Sequence, residues 1–353
     1  MIVLLLVGSM AILCQGFLPS PQTSTLRSSN IVPSAVLEFV EPETGVTVQL
    51  VGAMHYNPAS IREAAETIEQ LAQQDRLGSV LIESCDLRWN STLDLPPAIS
   101  NLLTSEMRTA HDLAMEYQRP VVLGDQLINI TINRMKDTLK ETALDLINPA
   151  TGWPKMASII NAARQEALPS GPQYLGTSAI FNPALLLAAP ISFFKYPLSF
   201  LVKAPVRSMI LFAVLFGVDS SGAAVNDAVA STEPLALSDL FLSLGGSALE
   251  IIIFARIFLQ VLLAERNQIL ASNIVAQCRY YQAQPSWQQW WKNTFRSNKP
   301  SAVSYAEGSV TPRYEASSSA EQQQKVVVAV LGMAHCNGIR KLLEAQQVDV
   351  RVV

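Results

Sequence analysis

Charge is what this sequence has least of. Of its 353 residues only 15% are Asp, Glu, Lys or Arg, against ~25% in an average soluble domain. The formal net charge is −4 and no run of like charge exceeds a couple of residues. That excludes a nucleic-acid groove, which needs a clustered basic face. Cysteine is equally sparse. Cys14, Cys85, Cys278 and Cys336 are widely separated and form no CxxC pair, so no disulfide framework is expected. Cys14 falls in an apolar N-terminal leader, and the other three read as small buried hydrophobes. Only three histidines occur: His55, His111 and His335. The excess is in apolar residues, 49% of the total, with a mean hydropathy of +0.25. Some of that excess lies at the N-terminus. The rest must fill a large core or touch a membrane.

Residues 2–13 (IVLLLVGSMAIL) are apolar and uncharged. They have the length of a signal-peptide core and are too short to span a bilayer. Phe17-Leu18-Pro19-Ser20 comes next, opening a Ser/Thr/Pro-rich stretch with Arg27 and no acid before Glu38. A hydrophobic leader, then a phenylalanine and a hydroxyl-rich, acid-free tail, resembles the bipartite plastid presequence of algae. The alternative is an ordinary secretory signal leading to the ER. Residues 1–33 are therefore set aside as a signal and transit-like leader, and 34–353 are read as a single domain.

That domain alternates strand and helix. Val36–Val40 and Val46–Ala53 are β-branched runs joined by a hairpin signal containing Gly45. Pro58 opens a helical pattern to about Gln74, Ser79–Ile82 is a short buried strand, and Pro96-Pro97 starts a helix that ends near Tyr117. Val121–Leu123 is a third short strand, residues 129–165 read as helical, and Val326–Leu331 and Val348–Val353 read as strands. The expected fold is α/β: a mixed sheet flanked by helices, with an apolar helical insert at 179–235 and a polar loop at 284–324. Within the insert, 179–218 carries Pro183, Pro190, Pro197 and Pro205. It has no clean run of ~20 apolar residues, and the prolines predict a surface-dipping segment over a regular spanning helix. Trp287–Trp291 (WQQWW) reads as an anchor against the fold or a membrane surface.

Two histidines share a local context. VGAMHYN (Val51–Asn57) and LGMAHCN (Leu331–Asn337) each run from an apolar strand through Gly-x-x-His-x-Asn into a helix carrying Ile-Arg. They read as an internal repeat, so the fold is expected to have two pseudo-repeated halves, each contributing a strand that ends in Gly-x-x-His. The motif glycine is expected to turn the chain off its strand through a positive φ. A histidine just past a strand's carboxyl end points into the crevice where α/β sheets bind ligands, and neutral imidazole is the commonest metal ligand. Glu83 ends a third strand, where its carboxylate serves as a ligand or takes a proton from water. Arg88 is placed to orient Glu83, or to grip a substrate carbonyl or carboxylate. Asn57 and Asn337 are candidates for fixing the imidazole tautomers. His111, inside a helix, reads as structural.

At these residues the chain resembles the TraB/PrgY/Tiki superfamily. The resemblance runs over about residues 46–345 and is carried by GAMH (Gly52–His55), IESCDLR (Ile82–Arg88), GDQLINITINR (Gly124–Arg134), ERNQILA (Glu265–Ala271) and VLGMAHCNGI (Val330–Ile339), with Ser105–Asp125 as the block before the aspartate. It implies a divalent metal ion (manganese, cobalt or zinc) held by His55, His335 and Glu83. It also implies a cleft lined by Arg88, Asp125, Thr131, Arg134, Glu265 and Arg266. Asn267 stands where the family commonly has Asp, which weakens whatever that acid holds. The expected function is a metal-dependent, peptidase-like hydrolase acting on a peptide or protein. The alternative is a non-catalytic, membrane-associated regulator or tether of an organelle, touching the membrane through 179–218.

Overall fold

The computed structural model describes residues 35–167, 171–205, 249, 251–282, 304–309 and 325–345. The leader, Trp287–Trp291, the strand expected at 348–353 and most of the polar loop lie outside the described residues. The chain divides into two compact units. One comprises residues 33–203 and 249–353. The other comprises 1–32 and 204–248, of which only 204 and 205 are described.

The first unit is built on a five-stranded sheet of order β1-β2-β5-β3-β4, with β1 Val36–Val40, β2 Thr47–Ala53, β3 Leu77–Ile82, β4 Val121–Leu123 and β5 Val326–Gly332. β1 and β2 form an antiparallel hairpin. Its turn is fixed by Gly45 at φ 72 and by the Glu41 carboxylate, which accepts from the backbone N–H groups of Glu43 and Thr44. β2, β5, β3 and β4 are mutually parallel. β5 (VVVAVLG) is buried at every position, as a central strand covered on both faces must be. Its side chains alternate between two cores. Val327, Ala329 and Leu331 pack with Leu270, Ile274 and Ile339 on one face. Val326, Val328 and Val330 pack with Ala64, Ile68, Ala110 and Ala114 on the other. The result is a sheet sandwiched between helices.

The α-helices longer than one turn among the described residues are α1 Pro58–Gln73, α2 Asp86–Leu93, α3 Pro97–Leu102, α4 Glu106–Glu116, α5 Ile128–Ile147, α6 Gly152–Ala167, α7 Pro183–Lys203, α8 Arg266–Tyr281 and α9 Met333–Glu344, with a single turn at Thr177–Ile180. Three departures from expectation have physical causes. The helix expected from Pro96 to Tyr117 is two helices, because the Ser105 hydroxyl accepts from Arg108 N and caps a new start. The prolines at 190 and 197 do not stop α7. Neither is buried, so the carbonyls they leave without an N–H partner need not be desolvated. Residues 304–309, expected in a solvated loop, run antiparallel along β4, with Leu123 N donating to Ser304 O and Ala306 N to Val121 O.

Two further elements bear on the site. Among the described residues α7 is the one helix long and apolar enough to cross a membrane by length and composition. Ile257–Glu265 is a nine-residue π-helix leading directly into α8. π-helical turns are rare and concentrate at functional sites.

Candidate functional site

Four neighbouring parallel strands release their chain ends at the same edge of the sheet. Past β2 comes His55, past β5 His335, past β3 Glu83 and past β4 Asp125. The registers fix their level: Ala53 lies beside Gly332, and Ile82 lies beside both Val330 and Leu123. Histidines from opposite ends of the chain thus stand on adjacent strand ends, with the carboxylate on the next strand, beside His335.

Glu83 is buried beneath them. Its Oε2 accepts from Gly332 N at 2.6 Å and its Oε1 from Arg266 Nη2 at 2.5 Å. His335 Nε2 stands 3.4 Å from the same Oε1. Burial alone would raise the Glu83 carboxyl, but His335 and Arg266, with His55 behind them, hold it well below the usual carboxylate range. It is therefore ionised, in the form that binds cations.

Both imidazoles are tied at Nδ1. His55 Nδ1 lies 2.6 Å from Glu106 Oε1, and His335 Nδ1 lies 2.7 Å from Asn267 Oδ1. An oxygen acceptor at Nδ1 favours the proton there and turns Nε2 inward, toward the Gly332 position for His55 and toward Glu83 Oε1 for His335. For His55, burial pushes the imidazole pKa down. The Glu106 carboxylate, aided by Glu83, outweighs that and raises it above the ordinary 6.5. Glu106 has a second task, accepting the N–H of Tyr56 at 3.0 Å. Tyr56 sits at φ 61, a left-handed conformation costing about 1–2 kcal/mol for a residue with a Cβ.

The motif glycines do not work as expected. Neither Gly52 nor Gly332 has a positive φ; they are needed for space. A Cβ on Gly332 would stand 3.1 Å from Glu83 Oε2, 3.3 Å from His55 Nε2 and 3.5 Å from His335 Cδ2. The missing side chain is the hollow on which all three groups converge. A Cβ on Gly52 would instead press on Ala35 O, Leu175 and Cys336, a packing constraint.

The remaining expected residues divide into two groups. Asp125 is a hub: it accepts two bonds from Arg266, at 2.8 and 2.6 Å, and a short one from Arg88. Arg266 therefore orients Glu83, and Arg88 does not. Arg88 reaches only the Glu83 backbone carbonyl, at 3.5 Å, and its side chain stays 38% exposed. Arg134 and Glu265 grip each other through two bonds, tying α5 to the end of the π-helix. Thr131 hydrogen-bonds Gln126. The side-chain amides of Asn57 and Asn337 are engaged elsewhere. Asn57 caps α1 and donates to Leu185 O, while Asn337 makes a two-way pair with the Leu175 backbone. The groups that fix the tautomers are Glu106 and Asn267. Asn267 is visible in the sequence as a departure from the family pattern. Glu106 is not, since an acid after a capping serine looks like an ordinary first-turn residue. His111 packs on Trp89 at 4.9 Å, away from the strand ends.

The inner face of α7 closes the site above His55. Tyr196 stacks on the imidazole (5.9 Å between ring centroids, 10° between planes). Lys203 Nζ donates to the Tyr56 hydroxyl at 3.4 Å.

Among the described residues no group of three or more His, Cys, Asp or Glu side chains is already gathered as a metal cage; Glu83 is engaged by Arg266 and Gly332. The donor types nevertheless fit a divalent ion: two imidazoles and one ionised carboxylate gathered about the Gly332 position, in a space that a single Cβ would fill. In comparisons with protein-family models, curated proteins and solved structures, the chain matches none.

Proposed function

We propose that this chain is a metal-dependent, peptidase-like hydrolase of the TraB/PrgY/Tiki type, with His55, His335 and Glu83 holding a divalent cation. One observation supports the reading: both imidazoles are held through Nδ1 and converge with Glu83 on the space over Gly332, His55 by its Nε2 and His335 by its Cδ2 edge, with His335 Nε2 facing the Glu83 carboxylate. A bound ion at such a site supplies Lewis acidity to a water and to a carbonyl oxygen. The chain's own residues do the rest. Glu106 and Asn267 hold the two rings in a ligating tautomer. Arg266 and the Gly332 N–H orient Glu83 and keep it ionised, which suits it to ligation over proton uptake. Arg88, partly exposed beside Asp125, is placed to grip a carbonyl or carboxylate of a peptide substrate. The pairing of β2 with β5 supports reading the halves as a pseudo-repeat. So does the parallel use of Asn57 and Asn337, each holding a carbonyl between residues 175 and 185. The test is zinc or manganese binding by the purified protein beside His55→Ala and His335→Ala. Each variant is expected to lose the metal and the hydrolysis of unstructured peptides while keeping its melting temperature within a few degrees. Full metal stoichiometry in either variant contradicts the site.

A second reading, a membrane-associated tether using this fold without catalysis, is favoured by one observation. The outer side of α7 exposes Leu186, Leu187, Ile191, Phe193, Phe194 and Phe200 together, more apolar surface than an isolated exposed leucine needs explained.

A further inference from the structure

We propose that Tyr196 is a catalytic residue of this site, its phenolic O–H donating a hydrogen bond to the scissile carbonyl oxygen as negative charge develops there. The inference rests on the hydrolase reading and adds a group from the apolar insert, which lies outside every motif that carries the family resemblance.

The ring is held on three sides. It lies nearly parallel to the His55 imidazole at 5.9 Å, with Tyr56 edge-on at 6.3 Å and Phe200 edge-on at 5.2 Å. α7 itself is pinned over the site, through Leu185 O to Asn57 and through Lys203 to Tyr56. A side chain so braced costs little ordering entropy when substrate arrives. The ring stands beside the site's charged groups, stacked on the His55 imidazole that faces the Gly332 position. Tyr196 is nonetheless 45% exposed, and among the described residues its hydroxyl has no hydrogen-bond partner. It is uncommitted, on a ring that lies against His55.

Several donors around the site are engaged by its own acids and hydroxyls. The Gly332 N–H serves Glu83, and Arg266 serves Glu83 and Asp125. The Arg88 Nη2 serves Asp125, and Lys203 serves Tyr56. A tetrahedral intermediate needs a preorganised donor on its oxygen, and Tyr196 is the phenol available above His55. In the step, water oxygen adds to the carbonyl carbon and the C–N bond then breaks. The amine leaves with a proton that comes from the attacking water. Tyr196 lends a hydrogen bond throughout and keeps its own proton.

Tyr196→Phe preserves the stacked ring and removes only the hydroxyl. The full-length protein and this variant are compared on a pool of quenched-fluorescent peptides with added manganese, alongside manganese affinity by calorimetry. The expected result is a kcat about 100-fold lower, a KM within about twofold and unchanged manganese affinity. Wild-type kcat in the variant overturns the inference and leaves the hydrolase reading standing. Loss of manganese binding in the variant also overturns it, by making the role structural. A wild-type protein that cleaves none of the peptides defeats the hydrolase reading itself, and the inference with it.

Discussion

The partner at Nδ1 of an imidazole decides what its Nε2 can do, and the two site histidines have unlike partners. Glu106 is a buried carboxylate, whereas Asn267 is a neutral amide. Glu106 makes His55 more basic: burial pushes the ring down, and the carboxylate more than reverses this. A metal competes with the proton for Nε2, so the apparent affinity falls as pH drops through a value above 6.5. In Glu106→Gln the larger upward pull is gone, while burial and the smaller pull of Glu83 remain. The pH midpoint of metal binding is therefore expected to move down. Affinity at high pH should also fall by about 10–100-fold, as for loss of an outer-sphere carboxylate. Calorimetric titration with zinc across the neutral range checks this, and a midpoint that stays or rises speaks against the assignment. The sequence hides Glu106 because nothing local distinguishes it from a helix-dipole acid. Its burial appears only once Ser105 restarts the helix and turns it under the β2 turn. Glycine misleads in a different way. Its motif position is legible, but whether it supplies a backbone angle or an empty volume depends on neighbours from other strands.

Among the elements, the strands are the easiest to read. β5 announces itself as an unbroken β-branched run, and a sheet that seats it between β2 and β3 brings three strand ends into line. α7 is harder. Its prolines argue against a regular helix, yet it runs through both, because proline's cost falls mainly on buried, hydrogen-bonded interiors. The helix has two jobs on two faces. Leu185, Ala189, Ser192 and Ser199 face inward, while the phenylalanines face out. That division predicts binding to anionic lipid vesicles, with α7 lying along the surface and Lys195 near the headgroups. Phe193→Ser with Phe194→Ser is expected to abolish flotation with the vesicles and leave metal binding intact. A double variant that floats like wild type removes α7 as the membrane contact. The π-helix gives no signal in the sequence, since LLAERN reads as ordinary helix. It sits directly before Arg266 and Asn267, the two residues of α8 that hold Glu83 and His335.

For the molecule as a whole, the central matter is closure over a long loop in the chain. The first Gly-x-x-His strand and the second become adjacent only because β5 enters the sheet between strands laid down much earlier. The shared Gly-x-x-His context of the two histidines makes that meeting legible, and the carboxylate beside them is legible from its own strand end. The supporting shell (Glu106, Gly332 N–H, Tyr196) is not, because each member is defined by a contact across the fold. The sharpest check on this convergence is diffraction from crystals of the protein grown with zinc, recorded at the zinc absorption edge. One anomalous peak is predicted over Gly332, within about 2.0–2.2 Å of His55 Nε2, His335 Nε2 and a Glu83 carboxylate oxygen. A fully zinc-loaded protein whose peak lies elsewhere, with Glu83 still held by Arg266 and both Nε2 atoms bare, would contradict it.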